Sequence, residues 1–201
     1  MKVTLIDYGA GNVPSVERAF RRLDVETETT NTPEKITAAH CLVLPGVGHC
    51  AALVCSLDKH SLRQPILDAV RRGVAFLGIC LGLQALYESS EEAPDMPGLG
   101  ILPGKVTRLP ETVKLPHMGW NTLQVIRPSR LLDSIVPGSY FYFAHSFAAP
   151  AGGPESAAVC EHGREFAAVV EQENLCAVQF HPEKSGAAGA QVLQNFLRVA
   201  A

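Results

Sequence analysis

Charge is scarce in this chain. Of its 201 residues, 18% are Asp, Glu, Lys or Arg, against about 25% in an ordinary globular protein. The formal net charge is -3. So weak a field does not hold phosphate backbones or anionic lipid, which excludes a basic nucleic-acid binder and a membrane protein held by charge. Long apolar runs are missing too. The most apolar one, VAFLGICLGL at 74–83, is too short to span a bilayer. The opening MKVTLIDYGAG places an acid and glycines where a signal peptide needs a continuous apolar core. The six cysteines include no C-x-x-C pair and form no dense framework, so their number does not imply bridges. His40, His49, His60 and His162 lack a carboxylate or cysteine at ligand spacing, and no paired Cys/His clusters suggest zinc. No Walker loop or G-x-G-x-x-G follows a strand. These absences predict a cytoplasmic, thiol-keeping protein without metal or cofactor.

What is present is apolar and periodic. Hydrophobic residues make up 47% of the chain, enough at this length for one domain, 1–201, to bury a core without disulfide or metal. Val3–Ile6, Cys41–Leu44 and Val74–Ile79 read as buried strands, and Glu26–Thr29 as another. Helical spacing joins Val16, Ala19, Phe20 and Leu23, with Asn12 as the expected cap. Pro33–Ala39, the stretch carrying Leu62, Ile66, Leu67 and Val70, Gly82–Glu88 and Ala187–Val199 are further helices. Strands alternating with helices predict an α/β fold, a mostly parallel central sheet with helices on both faces. After an irregular, proline-rich stretch from Pro94 to Gly138, with short strands near Val106 and Leu123, four segments read as hairpin strands: Tyr140–Phe147, Ala157–Glu161, Phe166–Glu171 and Cys176–Phe180. They add a smaller antiparallel portion. Ligands in such sheets sit beyond the carboxyl ends of the parallel strands, where glycines cluster at Gly9–Gly11, Gly46–Gly48 and Gly78–Gly82.

Gly78-Ile79-Cys80-Leu81-Gly82 is the cysteine counterpart of the G-x-S-x-G nucleophile elbow. The sharp strand-to-helix turn strains the nucleophile's backbone, and glycines two residues to either side relieve the crowding. The sulfur then lies at a helix start, where unpaired amides favour thiolate, and the Leu81 amide can donate to an oxyanion. A structural cysteine in tight strand–helix packing shows the same pattern taken alone. His181-Pro182-Glu183, at the end of a predicted strand, adds a base for the thiol and a carboxylate to orient it. That carboxylate reaches the ring only if the chain bends at Pro182, because neighbouring strand residues point to opposite faces. A helix start in which Glu183 and Ser185 merely cap explains Glu183 but not the thiol elbow elsewhere in the chain.

GICLGLQAL and QFHPEKS resemble the class I (triad-type) glutamine amidotransferases. Within them, DYGAGN at 7–12, LPGVG at 44–48, PHMGWN at 116–121 and YFAHSF at 142–147 resemble the glutaminase subunits of imidazole glycerol phosphate synthases, in the family's order and over nearly the whole chain. The resemblance implies Cys80 as nucleophile, His181 as general base and acid, and Glu183 as its orienter. It implies an oxyanion hole from Leu81 and from the loop at Gly46 and Val47. L-Glutamine's α-groups would be held by Gln84, Glu92 and the Ser146–Phe147 backbone, although an exposed Ser-Ser-Glu-Glu turn would look the same at Glu92. A (β/α)₈ cyclase subunit would receive the ammonia, with Asn12, Trp120, Tyr142 and Lys184 at the contact. Trp120, the only tryptophan, fits a core position as well. The chain departs from the family pattern at Pro14, at His49-Cys50 and at Phe147, where tyrosine is frequent. None of these is a triad position. The rivals are a class I glutaminase serving another synthase, and a single-cysteine oxidant sensor. A sensor needs the thiol but not His-Pro-Glu.

Overall fold

A computed structural model describes all residues, 1–201. In chain order the elements are β1 (Lys2–Ile6), α1 (Val13–Arg21), β2 (Glu26–Thr30), α2 (Pro33–Thr37), β3 (Cys41–Gly46), α3 (Cys50–Lys59), α4 (Arg63–Arg71), β4 (Ala75–Cys80), α5 (Leu81–Gln84), β5 (Tyr87–Ser90), β6 (Leu102–Arg108), β7 (His117–Thr122), β8 (Gln124–Val125), β9 (Tyr140–His145), β10 (Phe147–Ala148), β11 (Ser156–Glu161), β12 (Glu165–Gln172), β13 (Leu175–Val178), a 3₁₀ turn (Pro182–Lys184) and α6 (Gly186–Val199). The main sheet has the order β2-β1-β3-β4-β13-β12-β11-β8. It is parallel from β2 to β13 and antiparallel from there to β8. Two small sheets, β10-β6-β5 and β7-β9, complete the fold.

Both faces of the middle of the main sheet are covered, which explains why β3 and β4 read as apolar runs while the edge strand β2 does not. Val3, Leu5, Cys41 and Val43 point to one face, packed under Val16 and Phe20 of α1 and Val192 and Phe196 of α6. Their neighbours Leu42 and Leu44 point to the other, under Ile36, Leu53, Leu57 and Ile66 of α2, α3 and α4. A residue shift of one would exchange the two cores, so the register is strongly specified. The predicted α/β class with an antiparallel portion is the observed one.

Several local expectations differ. Cys50–Lys59 is a helix beyond those expected; the His49 side chain accepts the Ala51 N–H at 3.1 Å and caps it. The predicted helix Gly82–Glu88 stops at Gln84, because Tyr87–Ser90 pairs with β6 instead, Tyr87 opposite Leu102 and Ser90 opposite Val106. Tertiary pairing here overrides local propensity. Pro45 and Gly46 do not end β3 but extend it to pair with Ile79 and Cys80. Asn12 does not cap α1 with its side chain; it adopts φ 51° and sends its amide towards Glu183. The strand read as Cys176–Phe180, observed as β13, is more than a hairpin arm: it joins β12 antiparallel and β4 parallel, and so stitches the two halves of the sheet together.

Candidate active site

The site lies at the carboxyl ends of β3, β4 and β13. Cys80 ends β4 with φ 55° and ψ -107°, a conformation that costs a non-glycine residue on the order of 1–3 kcal/mol and persists only where surroundings over-determine it. Those surroundings are backbone packed on backbone. A Cβ on Gly46 would come within 2.5 Å of the Gly82 nitrogen, one on Gly78 within 2.7 Å of the Gly82 oxygen, and one on Gly82 would overlap the Leu44 carbonyl. The elbow glycines are thus required by space more than by dihedral freedom. Leu81 follows directly, opening α5.

His181 follows β13. Its backbone N–H donates to the Tyr142 carbonyl at 2.8 Å, and its carbonyl accepts the Ser185 hydroxyl at 2.7 Å. The Ser185 oxygen in turn accepts the Tyr142 N–H at 3.0 Å. The 3₁₀ turn at Pro182–Lys184 supplies the bend that strand geometry alone forbids. It brings a Glu183 oxygen to 2.9 Å from His181 Nδ1, with both side chains almost completely buried. The same oxygen lies 3.4 Å from the Asn12 amide donor. Burial alone would push the His181 imidazole below its ordinary range. The facing Cys80 sulfur and the Glu183 carboxylate override this and raise it well above. An imidazolium is therefore stabilised although the residue is only 2% exposed.

A cavity of about 170 Å³ opens over Cys80 and His181, and Val47, Leu81, Gln84, Glu92, Ser146, Phe147 and Lys184 line it as well. Glu92 is half-buried in this cavity, not on a free turn, and accepts the Cys50 N–H at 2.7 Å. Gln84 donates from Nε2 to the Phe147 carbonyl at 2.7 Å and to Gln179 Oε1 at 3.0 Å. Gly46 sits in register with Cys80. Val47, however, is turned away from an oxyanion position: its N–H donates to the Tyr8 hydroxyl at 3.1 Å, and that hydroxyl lies 3.2 Å from the Val47 carbonyl. The expected second donor is engaged by a residue to which the motif reading gave no role.

Of the four expected contact residues, Trp120 is 56% exposed, which removes the core alternative. It packs edge-on against Tyr142 at 5.9 Å, and Lys184 Nζ lies 5.4 Å from the centre of the Tyr142 ring. Asn12 lies apart from this trio, against Glu183. Sequence reading also assigned no role to Gln179, which is completely buried and donates from Nε2 to the Cys80 sulfur at 3.5 Å. A larger cavity, about 620 Å³, contains Arg127, Arg130 and Arg198. It holds none of these groups, and its arginines are already paired with backbone carbonyls, Glu171 and Asp133.

A family model described as "Glutamine amidotransferase class-I" matches residues 4–200. The imidazole glycerol phosphate synthase subunit HisH of Methanothermobacter thermautotrophicus is 43% identical over 197 residues, 98% of each chain. The protein of the same name from Moorella thermoacetica is 46% identical over 195 residues, 96% of this chain and 93% of its own. Among solved structures, "Crystal structure of glutamine amidotransferase" superposes with a TM-score of 0.78 at 20% identity, covering 98% of both chains. "Structure of PurLQS from Thermotoga maritima" gives 0.76 at 19%, covering 98% of this chain and 97% of that one. These two support the fold alone. With the matched model spanning nearly its whole length, the chain belongs to the class-I glutamine amidotransferase family.

Proposed function

We propose that the chain is the glutaminase subunit of an imidazole glycerol phosphate synthase. It hydrolyses L-glutamine and passes the ammonia to a (β/α)₈ cyclase partner, which makes imidazole glycerol phosphate and aminoimidazole carboxamide ribotide in histidine biosynthesis. The observation that carries the chemistry is the strained Cys80 facing an imidazole whose far nitrogen lies 2.9 Å from a buried carboxylate. In this reading the Cys80 thiolate attacks the side-chain amide carbon and the oxyanion forms beside the Leu81 N–H. His181 gives its proton to the departing nitrogen, and ammonia leaves. His181 then takes a proton from water, whose oxygen attacks the glutamyl thioester; glutamate is released and the thiolate–imidazolium pair is restored. Glu183 holds the ring and balances its charge.

Gln84 has spent both amide hydrogens, so its free Oε1 and the Glu92 carboxylate suit the α-ammonium of glutamine. The Ser146–Phe147 backbone flanks them. For the Gly46–Val47 peptide to serve the oxyanion, Val47 must leave Tyr8, a rotation that the flanking glycines ease. Ammonia must stay away from water, which would protonate it. An outer β7–β9 face carrying exposed Met118, Trp120 and Tyr140 beside the cavity suits a docked partner.

Glutamine hydrolysis measured with and without the cyclase tests this reading. Weak activity alone and strong stimulation by partner plus nucleotide substrate are expected, and Cys80→Ala in the complex should still use added ammonia. Strong activity in isolation, unchanged by the partner, contradicts the coupled reading. Equal loss of glutamine- and ammonia-dependent synthesis in Cys80→Ala contradicts the thiol's role.

A further inference from the structure

The buried surroundings of Cys80 pose a solvation problem. Cys80 is 5% exposed, His181 2% and Gln179 not at all, so a thiolate here has little water around it and needs donors from the protein. His181 is one. We propose that Gln179 is the second: a catalytic residue whose side-chain amide donates to the Cys80 thiolate and holds it charged and aimed at the cavity. The proposal rests on the reading of Cys80 as the nucleophile.

The direction of the amide follows from bonding rules alone. The Phe147 carbonyl oxygen can only accept, so the Gln84 atom 2.7 Å from it must be nitrogen. That nitrogen has one hydrogen left, and it points at Gln179, 3.0 Å away. The Gln179 atom facing Gln84 must therefore be the oxygen, which leaves its nitrogen on Cys80 at 3.5 Å. A flipped Gln179 would set two NH₂ groups against each other and an oxygen lone pair against the sulfur. The carbonyl at the origin of the chain is itself held in place. His145 Nδ1 lies 2.9 Å from it and must carry a hydrogen, since the carbonyl has none to give. His145 Nε2 is then the acceptor for His117 Nδ1 at 3.1 Å, and His117 Nε2 for the Asn121 amide at 3.3 Å. Every link from Asn121 to the sulfur has its donor and acceptor fixed, the Phe147 carbonyl accepting from both sides, and Gln84 acts as a positioning residue within the network. A packing role alone would not require this polarity.

Iodoacetamide alkylation of Cys80, followed by peptide mapping so that exposed Cys55 is scored separately, reads the thiolate without needing substrate. Gln179→Met keeps length and removes the donor. Alkylation at pH 7 should fall about tenfold, the scale of one charge-assisted hydrogen bond. Gln84→Met, which frees Gln179 to turn, should give a smaller fall. In the cyclase complex, Gln179→Met should lose glutamine-dependent synthesis in kcat more than in KM and keep ammonia-dependent synthesis. Alkylation of Gln179→Met at or above the wild-type rate overturns the proposal, since looser packing alone would open access to the sulfur. If Cys80→Ala itself retains glutamine hydrolysis, the reading of the nucleophile fails instead, and the two failures are told apart. Should Gln179→Met fold poorly, Gln179→Leu and Gln84→Met are scored by the same alkylation assay, and wild-type rates in both overturn it equally.

Discussion

The two sides of the site are held by different forces. Cys80 comes from the parallel half and is fixed by backbone packing: β3 and β4 run side by side to Gly46 and Cys80, and the elbow turns where no Cβ fits at Gly46, Gly78 or Gly82. His181, Glu183 and Gln179 follow β13, the strand that joins the parallel half to the antiparallel one, and are fixed by hydrogen bonds to Tyr142, Ser185, Asn12 and Gln84. Steric fixation is unforgiving and needs no particular side-chain chemistry. Polar fixation tolerates changes of shape better than the loss of a donor or acceptor, because a buried group left unpaired bears its full desolvation cost. The difference predicts that substitutions in the elbow act on folding and those around the imidazole on turnover.

The largest effect belongs to the elbow. Gly82→Ala drives a methyl into the Leu44 carbonyl and should destabilise by about 3 kcal/mol or more, seen as loss of folded protein or a collapsed denaturant midpoint. Cys80→Gly should do the reverse for stability. It relieves the φ 55° strain and should be about 1 kcal/mol more stable than Cys80→Ala, with both inactive on glutamine. If Gly82→Ala folds with wild-type stability, the steric half of the comparison is broken.

On the polar side, His181→Ala should lower glutamine hydrolysis by about a thousandfold, within the range for general acid–base catalysis; it also leaves the Glu183 carboxylate buried without its partner, so the unfolding midpoint should fall as well, and by less than in Gly82→Ala. Glu183→Gln should cost less, and Asn12→Ala least, since its 3.4 Å bond to Glu183 is long. The comparison is sharpened if kinetics and stability separate in this order. It is weakened if Asn12→Ala equals His181→Ala.

A smaller and pH-dependent effect comes from the histidine pair beneath the site. Burial pushes His145 down to about 3 and His117 to about 4, so the folded chain keeps both neutral while the unfolded chain protonates near 6.5. Between about pH 4 and 6.5 the unfolded state then binds more protons, and stability rises with pH. This contribution is fully present above 6.5 and is lost on acidification towards 4. His181, raised instead, works in the opposite direction and only at higher pH. Denaturant midpoints from pH 5 to 6.5 should therefore fall with acid, and His117→Phe should flatten the slope by close to one proton. An unchanged slope contradicts the neutral pair.

Legibility followed the same division. The inner parallel strands are readable because burial on both faces leaves Cys41–Leu44 and the run before Cys80 apolar and Val3–Ile6 apolar but for Thr4. Cys80, His181 and Glu183 could be singled out because each sits in a short motif whose local geometry is itself chemical. Residues whose role is made only by distant partners were not readable. Gln179 meets Cys80 across 99 positions and Tyr8 meets Val47 across 39, and no local pattern encodes either. Helix Cys50–Lys59 is hard to read because Ala51, Ala52 and Cys55 on its outer face blur the i, i+3, i+4, i+7 spacing of the buried Cys50, Leu53, Val54 and Leu57. The helix expected through Glu88 failed because β6 claims Tyr87–Ser90 as a partner strand. Asn12 has the residue type of a cap, yet Glu183 attracts its amide.

The most direct test of the account is to catch the acyl-enzyme. The complex with its cyclase, turning over glutamine, is quenched in acid and digested, and the peptides are weighed. One glutamyl group is expected on the peptide containing Cys80, and none in Cys80→Ala. A glutamyl group on another residue, or sustained hydrolysis by Cys80→Ala with no acyl-enzyme, would contradict it.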